Sequence, residues 1–274
     1  MEQLKEEKMM AEKSKFEEEL EKLNINLTEH QKEQFDRYYE MLVEWNNVMN
    51  LTGITDYDEV NLKHFTDSLT LVRNIDMNKI DAVIDIGTGA GFPGLPIKIA
   101  FPHIHVVLLD SLNKRIKFLN AVIEELDLAD VETLHGRAED YAKRKEYREQ
   151  FDLCVSRAVA NLSTLSEYCI PFVKKGGFFI PYKSGEIEEE LNQGKKAAAI
   201  LGGEINEVVR FSLPEGDGAR SLIRIRKVKP VSSRYPRKAG NAGERTSGKI
   251  GAKAEHMWVR SVPQKRWKTV THTL

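Results

Sequence analysis

The sequence predicts an α/β protein: a parallel sheet with helices on both faces, behind an N-terminal helical extension. Three observations carry this reading. From residue 81, short apolar runs alternate with segments of helical period, the pattern of repeated strand–helix–strand units. The first run ends in an acid and a glycine-rich loop, "AVIDIGTGAGFPG" at 82–94, where backbone can lie unusually close to a ligand. Before it, roughly the first 75 residues carry helical spacing and no strand signal.

The bulk properties bound the answer. The chain has 274 residues, 41% hydrophobic and 30% charged, which suits one substantial soluble α/β domain with extensions. No apolar run approaches the ~20 residues of a membrane span, so no membrane association is expected. The start, "MEQLKEEKMM", has no apolar segment behind a basic one and is not a secretory signal. Two cysteines, Cys154 and Cys169, make no disulfide framework and point to a reducing cytoplasm. Of seven histidines only His103 and His105 lie close together, without cysteine nearby, so no metal site is expected. The protein is expected to be a monomer. Net charge is −1 but uneven. Residues 227–274 hold twelve Lys/Arg and two Glu, a net of +10 on a body of −11. Such a tail suits a polyanion, though composition does not choose between that and a solvated end.

The elements follow in order. Residues 1–22 are charge-dominated and read as a solvated helix with fraying ends. Thr28 with Gln31 is a capping-box start. Phe35, Tyr38, Leu42, Trp45 and Met49 then recur at helical spacing and read as core. A second helical piece follows in "DEVNLKHFTDSLTLVRNI". Strands are expected at about 82–86, 105–110, 131–135, 151–156 and 177–183, with helices such as "SLNKRIKFLNAVIEELDL" and "LSTLSEYCIPFV" between them. Two last strands, about 204–213 and 220–227, flank "PEGDG" and read as an antiparallel hairpin. The domain reading is a charged extension at 1–22, a helical cap at 23–80, the sheet domain at 81–228 and a basic tail at 229–274.

The glycine loop discriminates among ligands. A triphosphate loop would follow its last glycine with Lys and Ser/Thr; here Leu95-Pro96 follow Gly94, which removes that reading. Gly89 to Gly94 matches G-x-G-x-x-G, but the strand ends at Ile86, so this dinucleotide match begins two residues late. The better frame is Asp85-Ile86-Gly87-Thr88-Gly89-Ala90-Gly91: an acid at the strand end, then G-x-G-x-G. It resembles the first motif of the Rossmann-like, S-adenosylmethionine-dependent (class I) methyltransferases. Asp85 suits the cofactor's cationic amine, directly or through water. Asp110, closing "VVLLDS", suits the ribose hydroxyls. The plain alternative is a tight turn with Asp110 capping the next helix; Ser111 is able to cap instead, which would leave Asp110 free.

Seven ordered stretches extend the resemblance: "WNNVMNLTGI", "HFTDSL", "DIGTGAGFPGLP", "DSLNKRIKFL", "GRAED", "SRAVA" and "YPRKAG". Over about residues 23–240 the chain resembles the bacterial small-subunit ribosomal RNA guanine-N7 methyltransferases, the glucose-inhibited division protein B family. The resemblance implies S-adenosyl-L-methionine as cofactor. It implies a guanine N7 in the 530 loop of 16S ribosomal RNA as target, naked or in the small ribosomal subunit. It implies cofactor contacts at Gly87 and Phe92, Ala138 and Glu139 beside the adenine, and Arg157 near cofactor and target base. After residue 240 the sequence departs from the family's pattern, which leaves the extent of the RNA surface open.

The residues support this chemistry independently. Guanine N7 carries a free lone pair, so methyl transfer requires alignment and no general base. Arg137, Arg157 and Lys183 follow the third, fourth and fifth strands, at the carboxyl edge where such sheets bind ligands. Guanidinium groups suit phosphates and base stacking. These three are the candidate catalytic residues; the cofactor set is Asp85, Gly87, Gly89, Gly91, Phe92, Asp110, Ala138, Glu139 and Arg157; the RNA set is Arg137, Lys183, Arg234, Arg237 and Lys238. "FDLCVSRAV" lacks the Asn/Asp-Pro-Pro motif of exocyclic-amine methyltransferases, and Cys154 lies inside its strand, which suits a buried apolar role. The alternatives are a same-fold methyltransferase for another RNA position or for protein, an inactive RNA- or cofactor-binding module, and a nicotinamide-dependent oxidoreductase.

Overall fold

The computed structural model describes residues 13–157, 160–214 and 218–237. Helix α1 (Lys15–Lys22) starts at a Ser14–Glu17 capping box. It is not a solvated helix. Phe16 and Leu20, one turn apart, are buried, and the Phe16 ring meets Phe35 edge-on at 5.2 Å. Burying two such side chains stabilises by about 1.5–3 kcal/mol each, which is why a charge-rich segment docks. Helix α2 (Glu29–Met49) begins at the expected box, with Thr28 accepting from the Gln31 amide. Phe35, Tyr38 and Leu42 are buried, while Trp45 and Met49 are half-buried.

Helix α3 (Tyr57–Val60) widens into a π-helical stretch, Asn61–Thr66, and then continues as α4 (Asp67–Leu69) and a 3-10 turn, Thr70–Arg73. Seven strands follow: β1 (Ala82–Ile86), β2 (His105–Asp110), β3 (Val131–His135), β4 (Phe151–Ser156), β5 (Val173–Ser184), β6 (Gly203–Ser212) and β7 (Ala219–Lys227). Between them lie α5 (Gly94–Ala100), α6 (Asn113–Glu125), α7 (Ala138–Tyr141), α8 (Leu162–Cys169) and α9 (Glu188–Ile200). The sheet order is β3-β2-β1-β4-β5-β7-β6. The first five strands are parallel, and β7 runs antiparallel to both β5 and β6.

Strand order reverses between the parallel neighbours β1 and β4, so a crevice opens at their carboxyl ends. Side chains alternate across the sheet. Val83, Val106, Leu108 and Leu153 face a cluster shared with α1, α2 and the 57–73 segment. Ile84, Val107, Cys154 and Phe179 face a second cluster with α7, α8 and α9. The helical cap therefore shares a core with the sheet. Hydrogen bonds reinforce the junction: Gln31 Nε2 donates to Ile99 O at 2.7 Å and Gln34 Nε2 to Leu126 O at 2.8 Å.

The chain after β7 stays on the domain through residue 237. Arg148 donates to four carbonyls: Ala142 O, Val231 O, Ser232 O and Tyr235 O. The basic tail expected from 229 thus begins as a docked segment. Among the described residues, no helix is long and apolar enough to cross a membrane.

Candidate active site

The acid–glycine loop sits at the mouth of the crevice. Gly87 N and Thr88 N donate to Leu109 O, and Gly91 N and Phe92 N donate to Thr88 O, closing a tight turn. Gly87 and Gly89 have φ of +73° and +65°, the left-handed region that disfavours a side chain. A Cβ on Gly87 would enter open space, and one on Gly89 would meet only Gly87 O, at 4.0 Å. Backbone is thus exposed where a ligand could lie against it.

Asp85 is fully buried at the base of this loop. Its Oδ2 accepts from Gly94 N at 2.9 Å, while Oδ1 has no partner among the protein atoms. Burial pushes the Asp85 carboxyl up to about 7, against the lowering influence of Thr88 and the Gly94 amide. An orphaned, desolvated oxygen beside open glycine backbone fits a cationic amine. The residues present therefore suit S-adenosylmethionine, with Asp85 at the amino-acid end.

Asp110 departs from the sequence reading. It is not left free by a capping Ser111. Asp110 Oδ1 accepts from Leu112 N at 2.9 Å. Its Oδ2 accepts from Gly89 N at 3.0 Å and from Arg115 Nη1 at 3.1 Å. A carboxylate has about four acceptor sites, so a ribose contact at Asp110 must share an oxygen. The side chain also splints the glycine loop to α6. Ala138 and Glu139 are buried on the first turn of α7. Burial, then Glu139 and Glu167, push the nearby Tyr168 hydroxyl up to about 12.

Arg157 leaves the carboxyl end of β4, next to Ser156, whose Oγ donates to Ile86 O at 2.8 Å across the reversal point. The Arg157 guanidinium lies 5.0 Å from the Phe92 ring centroid. Phe92 is itself stacked on Tyr38 at 5.5 Å and on His64 at 4.6 Å. Arg157 also lines a cavity of about 600 Å³ with Lys63, His64, Asp67, Tyr182, Lys183 and Arg220. One arginine thus joins the glycine loop, through Phe92, to a polar cavity.

His64 is neutral here. Burial, then the Arg157 charge, hold its imidazole at about 3. Both ring nitrogens are engaged, Nε2 with Thr52 Oγ1 at 2.8 Å and Nδ1 with Lys63 O at 3.1 Å. Asp67 is buried and bonded to Arg157 Nη1 at 3.1 Å and Arg220 Nε at 3.3 Å. The cavity offers positive charge and orientation, with its imidazole and both its carboxylates, Asp67 and Glu190, already occupied.

Two other candidates need correction. Lys183 does line the cavity, but it is buried, with Nζ 2.6 Å from Ala160 O and from Glu190 Oε1; it is pinned rather than extended toward RNA. Arg237 is not a solvent-facing contact. Its backbone N, Nε and Nη2 all bind Glu167 at 2.6–3.2 Å, and Glu167 is completely buried. A buried acid left alone is costly, so Arg237 fastens the C-terminal segment. Arg137 and Arg234 are exposed, and Arg137 does not line the cavity. Lys238 lies outside the described residues.

Sequence reasoning missed Lys63, His64, Asp67, Tyr182 and Arg220. The available signal was "HFTDSL", whose polar residues fall among buried helix positions. Polar groups at such positions call for partners.

Comparisons with known proteins give the family. The family model GidB, rRNA small subunit methyltransferase G, matches residues 31–222. "Ribosomal RNA small subunit methyltransferase G" of Lachnoclostridium phytofermentans is 52% identical over 231 residues, 84% of this chain and 96% of that one. The protein of the same name from Bacillus subtilis is 51% identical over 216 residues, covering 79% and 90%. Among solved structures, an O-methyltransferase from Bacillus cereus in complex with SAH aligns with a TM-score of 0.51. It is 17% identical, covering 69% of this chain and 91% of that one, a likeness of fold alone.

Proposed function

This chain belongs to the rRNA small subunit methyltransferase G family, and from that premise we propose that it methylates N7 of a guanine in the 530 loop of 16S ribosomal RNA, using S-adenosyl-L-methionine. The observation that carries the reading is Arg157, which touches the cofactor loop through Phe92 and the cavity through Asp67. The cofactor supplies an electrophilic methyl group on its sulfonium. Asp85 holds the amine end, and the open backbone of Gly87 and Gly89 lets the ligand lie close.

Arg157 and Arg220 face the cavity as planar donors for guanine O6 or a neighbouring phosphate. Guanine N7 has no proton to lose, so His64 and Asp67 need not act as bases. His64 stays neutral and supports Phe92 by stacking. The work of these residues is alignment of base and methyl group. Arg137 and Arg234 remain the proposed phosphate contacts. The same reading includes a cytoplasmic monomer that works without a metal.

The test is methylation in vitro of small-subunit RNA from a strain lacking this modification, naked or assembled, followed by chemical cleavage at N7-methylguanosine. One cleavage in the 530 loop is the expected result. Cleavage elsewhere, or methylation at an exocyclic amine, would assign the fold to another RNA position.

A further inference from the structure

We propose that Asp67 is the positioning residue of this site: it holds Arg157 and Arg220 side by side and presents both guanidinium groups to the target nucleotide. The proposal rests on the reading that Arg157 works at the reacting edge.

Asp67 comes from the helical cap, whereas its two partners come from the sheet. Arg157 follows β4 and Arg220 lies on β7. Each takes a different oxygen: Oδ2 accepts from Arg157 Nη1 at 3.1 Å and Oδ1 from Arg220 Nε at 3.3 Å. The Asp67 side chain is 4% exposed, and the two arginines are 20% and 21% exposed. Two like charges are thus gathered at one wall of the cavity. Without the shared carboxylate they would repel and turn toward solvent.

The π-helical stretch gives this arrangement a local cause. In an α-helix the Asp67 amide would bond to Lys63 O, four residues back. Here it bonds to Leu62 O and His64 O instead. Lys63 O is passed over, and Arg157 Nη1 donates to it at 3.1 Å. Arg157 is therefore held by a carbonyl released by the π turn, by the Asp67 carboxylate and by the Phe92 ring face. A π turn within a helix commonly marks a functional position. In this chain it creates an acceptor for the arginine nearest the glycine loop.

Asp67 itself lines the cavity behind the two guanidinium groups, so its effect on methyl transfer passes through them. Asp67→Asn keeps the shape but places an amide donor against a guanidinium donor. The full-length protein is assayed as wild type, Asp67→Asn, Asp67→Glu, Arg157→Ala and the Asp67→Asn/Arg157→Ala double variant. Calorimetry with S-adenosylhomocysteine and thermal melting accompany the kinetics.

We expect Asp67→Asn to lower kcat about 100-fold, the scale of a misplaced aligning group. Affinity for S-adenosylhomocysteine and the melting temperature should stay near wild type, and Asp67→Glu should recover part of kcat. The double variant should lose less than the product of the two single losses, because both changes remove the Asp67–Arg157 contact and only the hold on Arg220 is lost in addition. Wild-type kcat in Asp67→Asn beside an inactive Arg157→Ala overturns this proposal and leaves the functional reading standing. Loss of S-adenosylhomocysteine binding or of folding in both Asp67 variants makes Asp67 a general scaffold and overturns it as well. Wild-type turnover in Arg157→Ala overturns the reading of Arg157, and this proposal with it.

Discussion

Replacing Asp85 by Asn should make the protein's stability less dependent on pH, and the buried carboxyl sets the size of the effect. The Asp85 carboxyl has an ordinary value of 3.8 and is pushed up to about 7 by burial. Between these values the folded chain holds a proton that the unfolded chain has released. Stability therefore falls as pH rises through that window, and above it the ionised acid stays buried without that contribution. A single group with these two values loses about 2–3 kcal/mol of stabilisation between pH 5 and pH 8. Asparagine resembles the protonated acid at every pH: its oxygen can still accept from Gly94 N. Urea unfolding of both proteins at pH 5 and pH 8 gives four free energies. Subtracting variant from wild type removes the other titrating groups. The difference should move by about 2–3 kcal/mol in the variant's favour at pH 8. An equal difference at both pH values would refute the reasoning, because Asp85 would then ionise like an exposed acid.

Four further outcomes follow from the same geometry. If Asp85 receives the cofactor's amine, S-adenosylhomocysteine should bind wild type about tenfold more tightly at pH 8 than at pH 6; calorimetry showing pH-independent affinity would remove Asp85 from that role. Gly91→Ala should destabilise by about 1–3 kcal/mol, since Gly91 has a φ of +100° and a Cβ there would lie 2.6 Å from Leu95 Cδ1 and Tyr38 Oη; an unchanged urea midpoint would contradict it. Arg237→Ala should cost about 3 kcal/mol by stranding buried Glu167, with little change in the salt dependence of RNA binding, and a stable variant with a flattened salt slope would restore Arg237 to the RNA surface. Cys154→Ser should methylate normally, because burial raises the Cys154 thiol well above its usual range inside β4; a folded but inactive variant would contradict its buried apolar role.

Local chemistry made most of the sheet legible. The runs at 82–86, 105–110 and 151–156 are mostly apolar, while 131–135 (VETLH) alternates apolar and polar residues, and the strands fall on those residues. The acid–glycine loop was legible because strained backbone demands glycine. What lay hidden depends on partners far apart in the chain. Asp67 meets Arg157 across 90 positions and Arg220 across 153, and no periodicity reports such a meeting. The π turn also escaped, because helical spacing assumes a constant 3.6-residue repeat. Arg237 was read from its charge, whereas its role is set by Glu167, 70 positions away and buried. In α1 the many charges masked a Phe16–Leu20 pair that one helical turn brings onto the same face.

The central claim is that Arg157, at the carboxyl end of β4, aligns a small-subunit ribosomal RNA guanine for methylation at N7. Its most direct test is nucleoside mass spectrometry of 16S ribosomal RNA from cells lacking this gene, complemented with wild type or with Arg157→Ala at matched protein levels. The account predicts N7-methylguanosine in the 530-loop fragment with wild type, and its near-complete loss with Arg157→Ala. Equal modification by both proteins, or none by the wild type, would contradict it.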